Sequence, residues 1–210
     1  MKIIKYLESF NRKERFHLVG QLLGNSAFNL DPKILRNILD LLGLESETPK
    51  DCFSAMDYHL DWIYASIVLA HDKSEAPYLR NSLCISGTQE DVDFLLAFED
   101  KHENTHIVMI EAKGDTSFTN KQIQSKANRL NAIFGDGEKW EHVIPHFLIC
   151  SPHEPKQLNL NNFPCFMTNK DKKLIWFKLT MPENQNKPTR CHLDGKASKE
   201  GEYWKVDTLR

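Results

Sequence analysis

The residues best suited to chemistry lie in the run His106-Ile-Val-Met-Ile-Glu-Ala-Lys113 and in the acid-bearing stretch before it. Thr105 to Ile110 reads as an apolar, β-branched strand. Alternation puts Thr105, Ile107, Met109, Glu111 and Lys113 on one side of it, with neighbours roughly 6.6 Å apart. A carboxylate and an ammonium therefore emerge side by side where a buried strand ends. Upstream, Val92-Asp-Phe-Leu-Leu-Ala-Phe98 is a second apolar run, with Asp93 near its start. The polar segment from Glu99 to Asn104 suits the loop of a hairpin. Antiparallel pairing then brings Asp93 to Glu111 and Lys113. Three charges converging on one sheet end are costly unless they are solvated or hold a cation. Asp91 competes for the role of first acid, because alternation places it on the same face as Asp93.

The elements expected to position these groups follow from periodicity. Gly114 lets the chain leave the strand sharply. Ile123, Ala127, Leu130 and Phe134 then recur at helical spacing, closed by Gly135. Gln122, Lys126 and Arg129 form an adjacent stripe on that helix, read either as a phosphate-facing basic patch or as a solvated face. Val143 to Cys150 reads as the next buried strand, with Pro145 near its start.

This ordered set resembles the PD-(D/E)xK, or restriction-endonuclease-like, nuclease superfamily. The match is an Asp on one strand of a hairpin (Asp93), Glu-x-Lys closing the next (Glu111, Lys113), and a following helix carrying Gln122-Ile-Gln-Ser-Lys126. It covers about residues 50 to 150. Val92, not Pro, precedes Asp93. The tripeptide alone carries little, since it recurs at Asp31, Glu99, Glu154, Asp171 and Asp194; only the Glu111 copy closes an apolar strand, follows an acid-bearing strand and precedes an amphipathic helix. Without the resemblance, the same residues describe an edge strand with a terminal surface ion pair, worth about 0–1 kcal/mol.

The resemblance implies a fold and a chemistry. The fold is α/β: a restriction-endonuclease-like α-β-β-β-α-β core, a central mixed sheet flanked by helices, with an N-terminal helical extension and a C-terminal β-hairpin. The chemistry is metal-dependent hydrolysis of phosphodiester bonds, by an endonuclease acting on DNA in preference to RNA. Asp93, Glu111 and the backbone carbonyl of Ala112 are the implied ligands of Mg²⁺, with Mn²⁺ able to substitute. Asp57 or Asp61, on a helix before the sheet, is a candidate for a further metal-binding acid. Lys113 is implied to position the attacking water, and Gln122 to hold the Lys or a ligand water. Lys126 and Arg129 are the candidate nucleic-acid contacts. Two rivals remain: a catalytically inactive nuclease-like module that binds nucleic acid or protein, and an interaction protein with no nucleic-acid role. A symmetric dimer would suit a two-strand cut.

The outer segments complete the expectation. Residues 1–47 are read as a helical segment packed on a core domain of residues 48–210. Asn11-Arg-Lys-Glu14 has capping-box form, and Phe16, Val19, Leu22 and Leu23 make a short amphipathic stripe. Asp31-Pro32 opens a second helix with Ile34, Leu35, Ile38, Leu39 and Leu42 as its stripe. A third, longer helix is expected from Thr48, with Phe53, Met56, Leu60, Ile63 and Ile67 facing the core. Asn81 to Ser86 is expected to be the first strand. Phe163 to Met167 and Leu174 to Leu179 are expected to form an edge hairpin. Residues 181 to 200 read as a loop whose Lys187, Arg190, Lys196 and Lys199 could touch phosphates, and Tyr203 to Val206 as a last strand.

Composition narrows the rest. The 210 residues are 40% hydrophobic and 27% charged, as in a globular chain, with a net charge of −2 that gives no global attraction to nucleic acid. No apolar run reaches membrane-span length and no signal pattern opens the chain, so a cytoplasmic protein without a membrane partner is expected. Cys52, Cys84, Cys150, Cys165 and Cys191 form no Cys-x-x-Cys pattern and read as free thiols. His142, His146, Cys150 and His153 do not have the spacing of a zinc site.

Overall fold

The computed structural model describes residues 3–10, 13–24, 30–44, 49, 52–72, 74, 76–87, 90–114, 116–156 and 158–208. Three short helices come first: α1 (Ile3–Ser9), α2 (Glu14–Leu22) and α3 (Pro32–Leu41). The core follows as β1 (Phe53–His59), α4 (Leu60–His71), β2 (Asp91–Glu99), β3 (Thr105–Ala112), α5 (Asn120–Phe134), β4 (Val143–Ser151) and β5 (Ile175–Lys178). β6 (Asn186–Cys191) and β7 (Tyr203–Thr208) end the described chain as a separate antiparallel pair.

The central sheet has the order β1-β2-β3-β4-β5. Its first three strands are antiparallel, and β4 and β5 run parallel to β3. Alternation divides its side chains between two cores. Ile107, Met109, Phe147 and Ile149 pack under α1, α4 and α5 with Leu7, Ile63, Ile67, Ala127 and Leu130. Leu96, Phe98, Val108 and Leu148 face the other way, against Ile38 and Leu39 of α3. Each buried aliphatic side chain contributes about 1.5–3 kcal/mol by leaving water. The mixed α/β sheet, the hairpin of β2 and β3, the helix after it and strand β4 match expectation.

Three expectations about the elements are corrected. Phe53 to His59 is a strand, not the start of a long helix; Phe53 and Ala55 are both buried, and the helix begins at Leu60. Asp57 sits at φ +49°, in the left-handed region, which a helix interior does not tolerate. Asn81 to Ser86 is a turn, not a strand: the amides of Cys84 and Ile85 donate to the Asn81 carbonyl, and Cys84 drops into the core. The edge hairpin is reduced to one antiparallel bridge, Thr168 with Leu174 around the turn at Asn169; Cys165–Met167 is a 3₁₀ turn and β5 pairs parallel to β4. The C-terminal hairpin lies later, in β6 and β7, within and beyond the stretch read as a loop.

The N-terminal helices behave unevenly. α3 starts as expected, with the Asp31 carboxylate accepting from the Lys33 and Ile34 amides. Phe16 of α2 is buried, but Leu22 and Leu23 are 74% and 73% exposed, so that stripe is only half used. The capping residue read at Asn11 lies outside the described residues, as does the helix start read at Thr48. α1 was not foreseen. Its Ile3 and Leu7 enter the core, and the buried Tyr58 hydroxyl donates to the Leu7 carbonyl at 2.8 Å.

Among the described residues no helix is long and apolar enough to cross a membrane.

Candidate active site

The β2–β3 ladder runs from Glu99↔Thr105 to Phe94↔Ile110. One residue beyond its last pair stand Asp93 and Glu111. Two details of backbone geometry aim them. Val92 and Leu95 enter the same core although they are three apart, and so do Ala55 and Tyr58 opposite. Both strands thus change face together at Asp57 and Asp93, and the pairing Met56↔Phe94, Tyr58↔Val92 is kept. The left-handed Asp57 absorbs that change. Local kinks of this kind re-aim side chains next to functional sites.

Asp93 accepts a hydrogen bond from the Ala112 amide at 2.6 Å. In the parallel ladder the next amide, Lys113 N–H, donates to Cys150 across to β4 at 2.8 Å. The Asp93 carboxylate therefore stands where a β2 carbonyl would continue the sheet. Glu111, on the α5 side, forms an ion pair with Lys126. Lys126 also donates to the Asp91 carbonyl at 2.5 Å. Burial pushes the Glu111 carboxyl above its ordinary pKa, and the Asp93 charge adds to this; Lys126 and Lys113 oppose it. Two close carboxylates in partial burial form a site that a cation stabilises.

Glu90, Asp91, Glu111, Lys113, Lys121, Gln122 and Lys126 line one cleft of about 350 Å³, with Phe118 as its apolar wall; Asp93 is not among its lining residues. Lys113 is half-buried there. Gln122 is exposed; its amide donates to the Thr119 hydroxyl, which donates back to the Gln122 side-chain oxygen, so the pair caps α5. Asp91, the competing acid, is held by Lys13 in an ion pair from the start of α2.

Arg129 is 7% exposed, pairs with Asp61 and sits 3.3 Å from Glu90. Asp61 also accepts from the Gly87 amide at 3.1 Å. Asp57 lies on β1, not on a helix, and pairs with Arg15 at 2.8 Å. The structure thus brings Asp93, Glu111, Lys113, Gln122 and Lys126 to one sheet end. Arg129 and Asp61 form a neighbouring ion-paired cluster, and Asp57 forms another. Lys126 and Arg129 are buried in ion pairs, so neither is the open phosphate-facing patch that the helix stripe suggested.

Sequence reasoning missed Lys13, Glu90 and Lys121. Only Lys121 carried a local signal, one residue before Gln122. The His106 ring is 2.9 Å from His146 and 3.3 Å from Asp100, a hydrogen-bonded group at the far end of the sheet.

The residues present give a direct test of the implied metal. Among the described residues no group of three His, Cys, Asp or Glu side chains is placed to hold a metal ion. The donor set that the resemblance implies is two carboxylates and one carbonyl. That suits Mg²⁺, which keeps several waters and takes one or two carboxylates plus substrate phosphate. It does not suit a metal held in an all-protein cage.

The chain matches no family model, no curated protein and no solved structure.

Proposed function

We propose that this protein is a metal-dependent nuclease that hydrolyses phosphodiester bonds, with DNA favoured over RNA. The observation that carries the reading is the paired Asp93 and Glu111 carboxylates at the end of the β2–β3 hairpin, with Lys113 and Lys126 beside them. Asp93, Glu111 and the Ala112 carbonyl would hold Mg²⁺ or Mn²⁺. When bound, the ion supplies polarisation of the phosphodiester and a water of lowered pKa. Lys113 would orient the attacking water and offset negative charge developing on the phosphoryl oxygens. Lys126 keeps the Glu111 carboxylate charged and aimed while the site is free. Gln122 acts at one remove, by fixing the first turn of α5. The restriction-endonuclease-like fold is part of this proposal, supported by the β2–β3 hairpin, the helix α5 and the parallel strand β4 in that order, although α4 follows β1 instead of preceding all three antiparallel strands.

A second reading draws on the Lys126–Glu111 pair, which already neutralises one of the two carboxylates. On that reading the module binds nucleic acid or protein without cleaving.

Titration of Mg²⁺ or Mn²⁺ by calorimetry separates the two. Wild-type binding, lost in an Asp93→Ala, Glu111→Ala double variant and followed by DNA cleavage, supports the nuclease. Absence of binding, with and without DNA, favours the inactive module.

A further inference from the structure

The candidate site does not end at its own cleft. Phe118 also lines a second cleft of about 470 Å³, which continues past the ends of β3 and β4. That cleft shares Lys156 and Leu158 with a third, of about 570 Å³, which reaches the β5 edge. The three are neighbours through these shared lining residues. Each has the size of a small-ligand site.

Their charge differs from that of the whole chain. In the second and third clefts the charged lining residues are Lys156, Lys172 and Lys173 against Glu154 alone, among the described residues. All three lysines are exposed, as is Lys121 at the near end. No carboxylate among the described residues pairs with them, whereas Lys13, Lys126 and Arg129 are all committed to ion pairs. The phosphate-facing role read for Lys126 and Arg129 thus has an open set of cations to fall to.

We infer that these clefts form one track for a single nucleic-acid strand, leading from the candidate active site to the β5 edge. Lys121, Lys156, Lys172 and Lys173 neutralise successive backbone phosphates. This inference rests on the nuclease reading and adds the path and form of the substrate. A single strand fits because the lysines line successive concavities, which admit the sugars and bases of one chain.

The test is fluorescence anisotropy of a labelled single-stranded oligodeoxynucleotide, with Ca²⁺ replacing Mg²⁺ to keep it intact, over a range of salt. Each single-strand phosphate contact contributes about 0.7 to the slope of log affinity against log salt. The triple variant Lys156→Gln, Lys172→Gln, Lys173→Gln lowers that slope by about 2. An equal-charge control, Lys5→Gln, Lys33→Gln, Lys205→Gln, on exposed lysines away from the clefts, leaves it unchanged. A triple-variant slope equal to wild type, or an equal loss in the control, overturns the track while a cleaving wild type keeps the nuclease reading. Binding of duplex but not of single strand overturns it too. A wild type that binds no nucleic acid at low salt removes the nuclease reading itself, and the track with it.

Discussion

The two ends of the β2–β3 hairpin both bury ionisable groups, and they do so in opposite ways. At the loop end, Asp100 accepts from the amides of His102 and Asn104 and from the Asn104 side chain, and reaches His106, which reaches His146. Phe98, His106 and His146 are stacked, with ring centroids 4.9 and 5.2 Å apart. Most of these partners are local, short and neutral. At the open end, Asp93 and Glu111 answer to Ala112 and to the long side chain of Lys126. The first arrangement closes a loop. The second holds like charges together with a flexible counter-charge. Burial alone therefore does not distinguish the two ends; the kind of partner does.

The sharpest test of this contrast is catalytic. On the nuclease reading, Lys113→Ala lowers cleavage by about 10²–10³-fold, the usual cost of removing one transition-state donor, while calorimetry still detects Mg²⁺ binding. Asp93→Asn keeps an acceptor for the Ala112 amide, so its urea midpoint stays near wild type while Mg²⁺ binding falls. Equal cleavage by Lys113→Ala would break the assignment.

Lys126→Met leaves the Glu111 carboxylate without its partner. Breaking a buried pair in this way costs about 3–5 kcal/mol. Added Mg²⁺ recovers part of the urea midpoint if the open end accepts a cation, and recovers none if the pair is purely structural.

The loop end is expected to respond to pH instead. Burial, then the neighbouring His106, hold the His146 pKa down to about 3 from 6.5. The unfolded chain therefore takes up a proton that the folded one refuses. The His146 contribution to stability is complete above about pH 6.5 and is lost as pH falls toward 3, by about 1.4 kcal/mol per pH unit. Asp100 acts in the same sense at lower pH: burial pushes its carboxyl up, but the bonds from Asn104, His106 and His102 outweigh this and hold it below its usual range. Urea midpoints of His146→Gln against wild type, from pH 7 to pH 4, read the difference. Parallel curves would remove His146 from this role.

The smallest effect concerns Asp57. Its ion pair with Arg15 is exposed on the Arg side and worth little, but its left-handed backbone favours glycine. Asp57→Gly is expected to hold or slightly raise the thermal midpoint, and Asp57→Ala to cost about 1 kcal/mol. A larger loss in Asp57→Gly would show that the carboxylate does more than hold a turn.

Legibility along the chain followed the range of the interactions. Thr105 to Ile110 was readable because four of its six residues are β-branched and such a run needs no distant context, and Asp31-Pro32 because a cap is made within a few residues. β1 was not readable, because Phe53, Met56, Leu60, Ile63 and Ile67 keep helical spacing straight across the strand–helix junction. Cys84 and Ile85 look strand-like, yet only a turn carries Cys84 inward. At the site, alternation along β3 placed Glu111 and Lys113 on one side, but it could not foresee the change of face at Asp93. The burial of Lys126 and Arg129 was not readable either, because their partners Glu111, Glu90 and Asp61 lie 15, 39 and 68 residues away. A charged stripe beside a core stripe reads as solvated until those partners are placed.

The Asp93 carboxylate that takes over from a strand carbonyl gives the protein a built-in spectroscopic probe. The Ala112 amide proton points at a carboxylate rather than at a backbone oxygen, so its nuclear resonance lies downfield of its neighbours in β3. Its exchange with deuterium tracks the state of one side chain rather than the opening of the sheet. Any ligand that draws on Asp93 moves that single peak, whether or not a bond is ever cut.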